Sequence, residues 1–344
     1  MSDMKILVVR FRQMGDAILA TPLLSTLKQT FPDAEIDFVL NERIAPLFEG
    51  HPALNHIISF TDKERHGFFS YINKVWRTVH HGARYDAIID MRSTVNTMLF
   101  ALFSPFTKYR IGIRKPYTWG IFNYRFEACE DNESMIDHNL KLATPLTQQF
   151  TSTSTSTSTP LTPHLSLSIT EQERQDFRQY MAAQGIDFSR PVMLVGVTAK
   201  LAHKTWPEDR MTQVLHLFIE TSPQWQLIFN YAPGQEAENA RRIYSNLSST
   251  SNIFLNIEAK SPRQLAAMAA NCTAYFGNEG GARHIVHAMG KPSLVICSPF
   301  ASKTTWLPQN TDVLALGIDA ESYDLITVDK VWFELQSFTS CIMH

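Results

Sequence analysis

Short unbroken apolar runs recur along the chain. Each is followed by a polar turn and then by a stretch in which apolar residues return every three or four positions. Residues 5–9, 35–40, 57–60 and 85–90 are runs of this kind in the first half, and 192–197, 226–231, 253–255, 273–276 and 293–297 in the second. Such runs suit strands covered on both faces, as in a parallel sheet. Between them, 17–30, 68–81, 135–149, 208 onward, 236–247, 262–270 and 282–289 carry helical spacing, and 41–48 and 170–183 read as shorter helices. On 68–81 the apolar stripe is Tyr71, Ile72, Val75, Trp76 and Val79. Strands alternating with helices predict βαβ units and an α/β, doubly wound sheet.

The pattern starts afresh after a strict Thr/Ser alternation at 151–159, which is closed by Pro160 and Pro163. A polar, β-branched, low-complexity run has nothing to bury and is expected as a mobile connection. The expectation is therefore two Rossmann-like domains, 1–165 and 166–344. A last amphipathic helix at 328–338 closes the second.

A length of 344 residues suits two domains of ordinary size, and 44% hydrophobic content supplies two cores. A formal net charge of −2 speaks against general nucleic-acid binding, which needs a basic surface. Cys129, Cys272, Cys297 and Cys341 form no C-x-x-C pair and are expected as reduced thiols. With no signal-peptide pattern and no run of about 18 apolar residues, a soluble cytoplasmic protein is expected.

Candidate chemistry sits in the turns that follow strands. Gly277-Asn278-Glu279-Gly280-Gly281 separates a strand from a helix, and Gly290 and Pro292 end that helix. Backbone N–H groups and the positive end of the helix dipole make such a turn a seat for a phosphate or diphosphate. The alternative is an ordinary βαβ turn whose glycines serve only geometry. Asn278, Glu279, Arg283 and His284 around it favour a site. In the first half, Asp16 opens a helix beside Gly15, beyond the end of the first strand, where open α/β sheets place ligands. Lys204 stands in a loop above the strand 192–197, where a point charge could meet a diphosphate. Glu236 and Glu238 start the helix after 226–231, and an acid there can take ribose hydroxyls. Residues 108–126 hold Lys108, Arg110, Arg114, Lys115 and Arg125 among Tyr, Trp and Phe, without an acid. Three readings stand for that stretch: a packed strand and loop with solvated cations, an acceptor site for an anionic sugar or phosphate, and a surface resting on anionic lipid.

Three of these stretches resemble glycosyltransferase family 9, the bacterial heptosyltransferases of lipopolysaccharide core synthesis. They are VVRFRQMGDAILATPLLSTLK, the Lys204-Thr205-Trp206-Pro207 loop and GNEGGARH. In the last, Glu279 and Gly280 stand where the family usually has Asp and Thr, while Gly281 and His284 match. The resemblance spans nearly the whole chain. It implies the GT-B architecture, with two doubly wound domains facing a central cleft and the last helix packing back on the first. It implies an inverting transfer of a sugar, a heptose from ADP-heptose, to a lipopolysaccharide core acceptor. Asp16 would be the catalytic base. Thr198, Lys204, Glu236, Asn278, Glu279, Gly280, Gly281 and His284 would form the donor set, and Arg110, Arg114 and Lys115 the acceptor set. No D-x-D pair occurs, so no metal and no cofactor are expected. Peripheral contact with the cytoplasmic face of the inner membrane is a further implication. A sugar-nucleotide epimerase of similar fold and a non-catalytic nucleotide-sugar-binding protein are the alternatives.

Overall fold

The computed structural model describes residues 4–11, 13–82, 84–151, 163–247, 251–309 and 311–343. The Thr/Ser run expected to be mobile falls, from residue 152 onward, outside them, while Thr151 closes the helix Thr144–Thr151. The chain divides into two compact units, Met1–Ser168 and Ile169–His344.

The first unit is a six-stranded parallel sheet of β1 (Lys5–Val9), β2 (Glu35–Asn41), β3 (His56–Phe60), β4 (Ala87–Asp90), β5 (Tyr109–Ile113) and β6 (Tyr124–Phe126). Their order is β3-β2-β1-β4-β5-β6. The chain winds outward from β1 through β2 and β3, then returns to β1's other side to lay down β4. The topological switch point therefore lies between β1 and β4, which pair from Ile6–Ala87 to Val9–Asp90. β1 is buried beyond its first residue, which is why it reads as one apolar run.

The second unit repeats the winding with β7 (Val192–Gly196), β8 (Gln226–Asn230), β9 (Ile253–Phe254), β10 (Ala274–Asn278), β11 (Ser293–Ile296) and β12 (Ala315–Ile318). Its order is β12-β11-β10-β7-β8-β9, so β7 and β10 flank its switch point. The last helix, Val328–Met343, buries Val331, Leu335 and Phe338 in this unit's own core, beside Val214, Phe218 and Ile326.

One predicted helix is two in the structure. Residues 17–30 divide into Met14–Ile18 and Thr21–Thr30, because Pro22 cannot continue a helix but suits the first turn of a new one. Residues 108–126, for which a packed strand and loop is one of the three readings, supply the two outer strands β5 and β6. Among the described residues no helix is long and apolar enough to cross a membrane.

Candidate active site

In open α/β sheets, ligands bind beyond the carboxyl ends of the strands at the switch point. The sequence-predicted residues are therefore taken switch point by switch point.

In the second unit, the strand ends of β7 and β10 approach closely enough to demand glycine on both sides. Gly196 and Gly277 are partners across the pair. A Cβ on Gly277 would run into the Gly196 backbone, 2.7 Å from its nitrogen, and Gly277 has φ +135°. A Cβ on Gly196 would strike the Tyr275 hydroxyl. This places the glycine requirement of the GNEGG stretch at Gly277. Gly280, by contrast, is extended at φ 177°, has open space where a Cβ would stand, and is exposed. Gly281 is the first residue of the helix Gly281–Ala288 and is not among the glycines at positive φ. The expectation that this turn needs glycine's backbone freedom thus fails at 280 and 281. What the two residues present is an accessible helix start.

Asn278 is only 1% exposed, and both polar groups of its side chain are engaged. Its Oδ1 accepts from the Trp206 backbone N–H at 2.7 Å, and its Nδ2 donates to the Gly196 carbonyl at 3.0 Å. Asn278 therefore does not reach outward as a ligand contact. It fastens the end of β10 to the end of β7 and to the loop that carries Lys204. Trp206 anchors the same loop from below, fully buried, with its indole N–H donated to the Ile326 carbonyl at 3.1 Å. Held this way, Lys204 Nζ lies 3.4 Å from Glu279 Oε1. The other oxygen of Glu279 accepts from the Ser298 N–H at 3.4 Å. A partly exposed ammonium, a carboxylate strut and the Gly280-Gly281 helix start are thus brought to one strand end.

Thr198, just past β7, donates its hydroxyl to Glu236 Oε2 at 2.9 Å. Glu238 instead accepts from Gln235 on the helix surface at 3.1 Å. Of the two acids the sequence left open, Glu236 is the one joined to the strand-end group. His284 is buried, with Nε2 3.1 Å from an Arg283 guanidinium nitrogen. Burial and the adjacent Arg283 hold its pKa well below the ordinary histidine value, so the ring is neutral. It offers almost nothing to solvent, contrary to its expected place in the donor set. Arg283 itself is buried, donates to the Trp306 carbonyl at 2.7 Å, and has its pKa pushed down to about 10 by desolvation.

In the first unit, Asp16 sits in the first turn of Met14–Ile18 at the end of β1 and is 8% exposed. Arg10, the residue after β1, places Nη2 3.1 Å from Asp16 Oδ1 and donates through Nη1 to the Met91 carbonyl at 2.7 Å. The carboxylate is thereby tied across the switch point to the turn that follows β4. That turn is elaborate. Asp90 Oδ1 accepts the N–H groups of Arg92 (3.0 Å) and Ser93 (2.8 Å). Ser93 stands at φ 49°, and its Oγ accepts from Ile113 N–H at 2.7 Å. Burial raises the Asp90 carboxyl to about 6, against the backbone N–H groups that favour its charged form. Lys115 donates to the Arg92 carbonyl at 2.9 Å and Tyr117 to that of Ser93 at 3.2 Å.

The three basic residues predicted for the acceptor separate. Lys115 and Arg114 follow β5, and Arg114 pairs with the exposed Glu127 at 2.9 Å. Arg110 is a correction. It is the second residue of β5, at the opposite end of the sheet, and its guanidinium is spent on the carbonyls of Ile121 (2.8 Å), Pro105 (2.6 Å) and Thr107 (2.8 Å). Arg10 and Asp90 were not assigned roles from sequence, although a cation directly after β1 and an acid ending β4 were the available signals. Among the described residues, ligand atoms of Cys129, Glu133 and His138 come within 4.8 Å of one another. Glu133 is bridged there to His138 at 3.3 Å and to Lys141 at 2.5 Å.

The model of glycosyltransferase family 9 (heptosyltransferase) matches residues 72–322. Lipopolysaccharide heptosyltransferase 3 of Escherichia coli K12 is 24% identical over 234 residues, covering 65% of this chain and 62% of that protein, less than two thirds of its length. Among solved structures, a family 9 glycosyl transferase from Veillonella parvula superposes with TM-score 0.81 at 18% identity over 98% of both chains. The E. coli ADP-heptose lps heptosyltransferase II does so with TM-score 0.75 at 20% identity, over 97% of this chain and 98% of that one. With a family match over more than half its length and two Rossmann-type sheets of the GT-B fold, the chain belongs to glycosyltransferase family 9, the heptosyltransferases.

Proposed function

We propose that the protein transfers a heptose from ADP-heptose to a hydroxyl of a lipopolysaccharide core acceptor, with inversion at the anomeric carbon and without a metal ion. The observation that carries the reading is the second switch point. There Lys204, held by the Asn278–Trp206 bridge, stands with Glu279 at the strand end that also presents the Gly280-Gly281 helix start. A cation beside backbone N–H groups at a helix N-terminus suits a diphosphate. The charge that develops on the leaving diphosphate when the glycosidic C–O bond breaks would be stabilised by the same groups. Thr198 and Glu236 form a hydroxyl–carboxylate pair suited to ribose hydroxyls.

At the first unit's switch point, Asp16 takes the proton of the attacking hydroxyl as general base. Arg10 fixes the orientation of that carboxylate. Arg114 and Lys115 supply positive charge at the same end of the sheet for an anionic acceptor. In this reading Lys204 and the backbone N–H groups of the helix start face the diphosphate where a divalent ion would otherwise stand.

The test is turnover of ADP-heptose with and without a delipidated core oligosaccharide, in chelator, with the product's anomeric configuration read by NMR. ADP release that requires the acceptor and gives the inverted anomer is expected. Consumption of the sugar nucleotide without acceptor would favour an epimerase, and binding without turnover a non-catalytic protein.

A further inference from the structure

The first unit carries an exposed aromatic face that neither its core nor its strand-end residues explain. On the helix Phe68–His80, Tyr71, Val75 and Val79 point inward, while Phe68, Phe69 and Trp76 stand out at 71%, 83% and 51% exposure. The face continues beyond the helix. Trp76, His80 and Arg84 line one hollow with Leu102, Phe103 and Phe106, and Phe106 is 78% exposed. Trp76 stacks on His80 with centroids 3.8 Å apart, and the Arg84 guanidinium lies 5.3 Å from the Phe106 ring centre. A grouping of large exposed apolar side chains marks a surface that something covers.

Charge indicates what covers it. Although the whole chain is slightly acidic, residues 65–85 hold Arg65, Lys74, Arg77 and Arg84 and no acid. Residues 91–126 hold Arg92, Lys108, Arg110, Arg114, Lys115 and Arg125, again without an acid. The nearby carboxylates are engaged: Glu64 by Lys74 at 2.8 Å, Asp62 by Arg43 at 2.5 Å, and Asp86 by the Lys5 N–H at 2.9 Å. Arg77, His80, His81, Arg84 and Lys108 are exposed, with His80 against Trp76 and Arg84 against Phe106. Aromatic side chains that settle at the headgroup boundary, flanked by cations that meet anionic headgroups, are the features of an interfacial helix.

We infer that the outer face of Phe68–His80, with Phe106, docks the first unit on an anionic lipid bilayer. The inference deepens the proposed function by locating the contact with the membrane that would hold a lipid-linked acceptor. The geometry suits that task. Arg65, just before the helix, lies 5.7 Å from the ring centre of Phe11, and Phe11 follows β1. The Phe68-Phe69 end of the face is therefore at the carboxyl end of the sheet, where Asp16 stands. A bilayer against this face would present headgroups at that end.

Co-sedimentation of the full chain with phosphatidylglycerol-containing vesicles, against pure phosphatidylcholine vesicles and at raised salt, tests the inference. Wild type should partition onto the anionic vesicles and be released by salt. Arg77→Glu/Arg84→Glu and Phe69→Ser/Phe106→Ser should each lower that partitioning at least tenfold. Both doubles should keep wild-type thermal stability and wild-type transfer to a delipidated acceptor, while transfer to acceptor embedded in vesicles falls. No preference for anionic vesicles in wild type, or wild-type partitioning by both doubles, would overturn the lipid assignment; a self-association constant lowered by the same substitutions would assign the face to a second copy. Failure here leaves transfer to the delipidated acceptor intact, and so is distinct from failure of the glycosyltransferase reading.

Discussion

Asn278→Ala removes one side chain and releases two backbone groups at once. The Trp206 N–H loses its acceptor at 2.7 Å, and the Gly196 carbonyl loses its donor at 3.0 Å. Both lie around a side chain that is essentially solvent-free. A hydrogen bond contributes about 0.5–1.5 kcal/mol net, and a buried group left unpaired costs about 1–3 kcal/mol. Two such groups, partly rescued by relaxation, give an expected loss of about 3 kcal/mol, a large share of the roughly 5–15 kcal/mol that holds a typical domain. The functional effect follows from position. The Trp206 N–H is the tether of the loop that carries Lys204, so the folded variant should bind ADP about tenfold more weakly, or about 1.4 kcal/mol. Asn278→Asp keeps the acceptor for Trp206 but turns an oxygen towards the Gly196 carbonyl, and should be at least as destabilised at neutral pH. Urea unfolding gives the first quantity, and calorimetric titration of ADP into the folded variant gives the second. A loss of stability below about 1 kcal/mol would refute the bridge. Unchanged ADP affinity in folded Asn278→Ala would refute the claim that the bridge serves nucleotide binding.

Lys204→Ala should weaken ADP binding by about 1.5–3 kcal/mol, the scale of a charged hydrogen bond, and equal affinity by calorimetry would remove Lys204 from the donor set. Asp16→Asn should lower turnover by a factor on the order of 100 or more, with ADP affinity unchanged; wild-type turnover would exclude Asp16 as the base. Asp90 gives a pH signature. Its folded pKa of about 6 lies above the ordinary 3.8, so the folded state holds the proton longer, and stability from this group is lost as pH rises from about 4 through about 6. Across that window wild type should lose about 3 kcal/mol relative to Asp90→Asn, and parallel stability profiles would show that Asp90 is not desolvated as described.

The winding of both sheets could be read in advance because centrally placed parallel strands must be apolar on both faces. β1, β4, β7 and β10 accordingly stand out as unbroken runs. The outer strands were harder. β6 is half-buried throughout and β12 nearly so, which leaves little apolar signal, and neither was predicted. At the sites, residue types were legible but directions were not. Arg110 and Lys115 look alike in a basic stretch, yet five positions along a strand separate the two ends of a sheet. Asn278 looked like a ligand contact, and only the distance to Trp206 and Gly196 shows it to be a fastener. The glycines of GNEGG look alike in the sequence, whereas among the three only Gly277 lies at the close approach of β7 to β10. Arg10 could be seen as a cation after a strand, but its pairing with Asp16 depends on the backbone path between them.

The central claim is that the β10 turn holds the diphosphate of the donor, and Gly280 tests it with the least confusion from folding. Its backbone is extended, and beyond its chain neighbours no atom lies within 4 Å of the place a Cβ would take. Gly280→Ala should therefore leave stability within about 0.5 kcal/mol, so that a change in ADP affinity reports on the contact with the ligand. Calorimetric titration of ADP into wild type, Gly280→Ala and Gly280→Val should show affinity falling in that order, with Val binding at least tenfold more weakly. Equal affinity across the three, in proteins of equal stability, would show that the turn shapes the sheet and does not hold the phosphates.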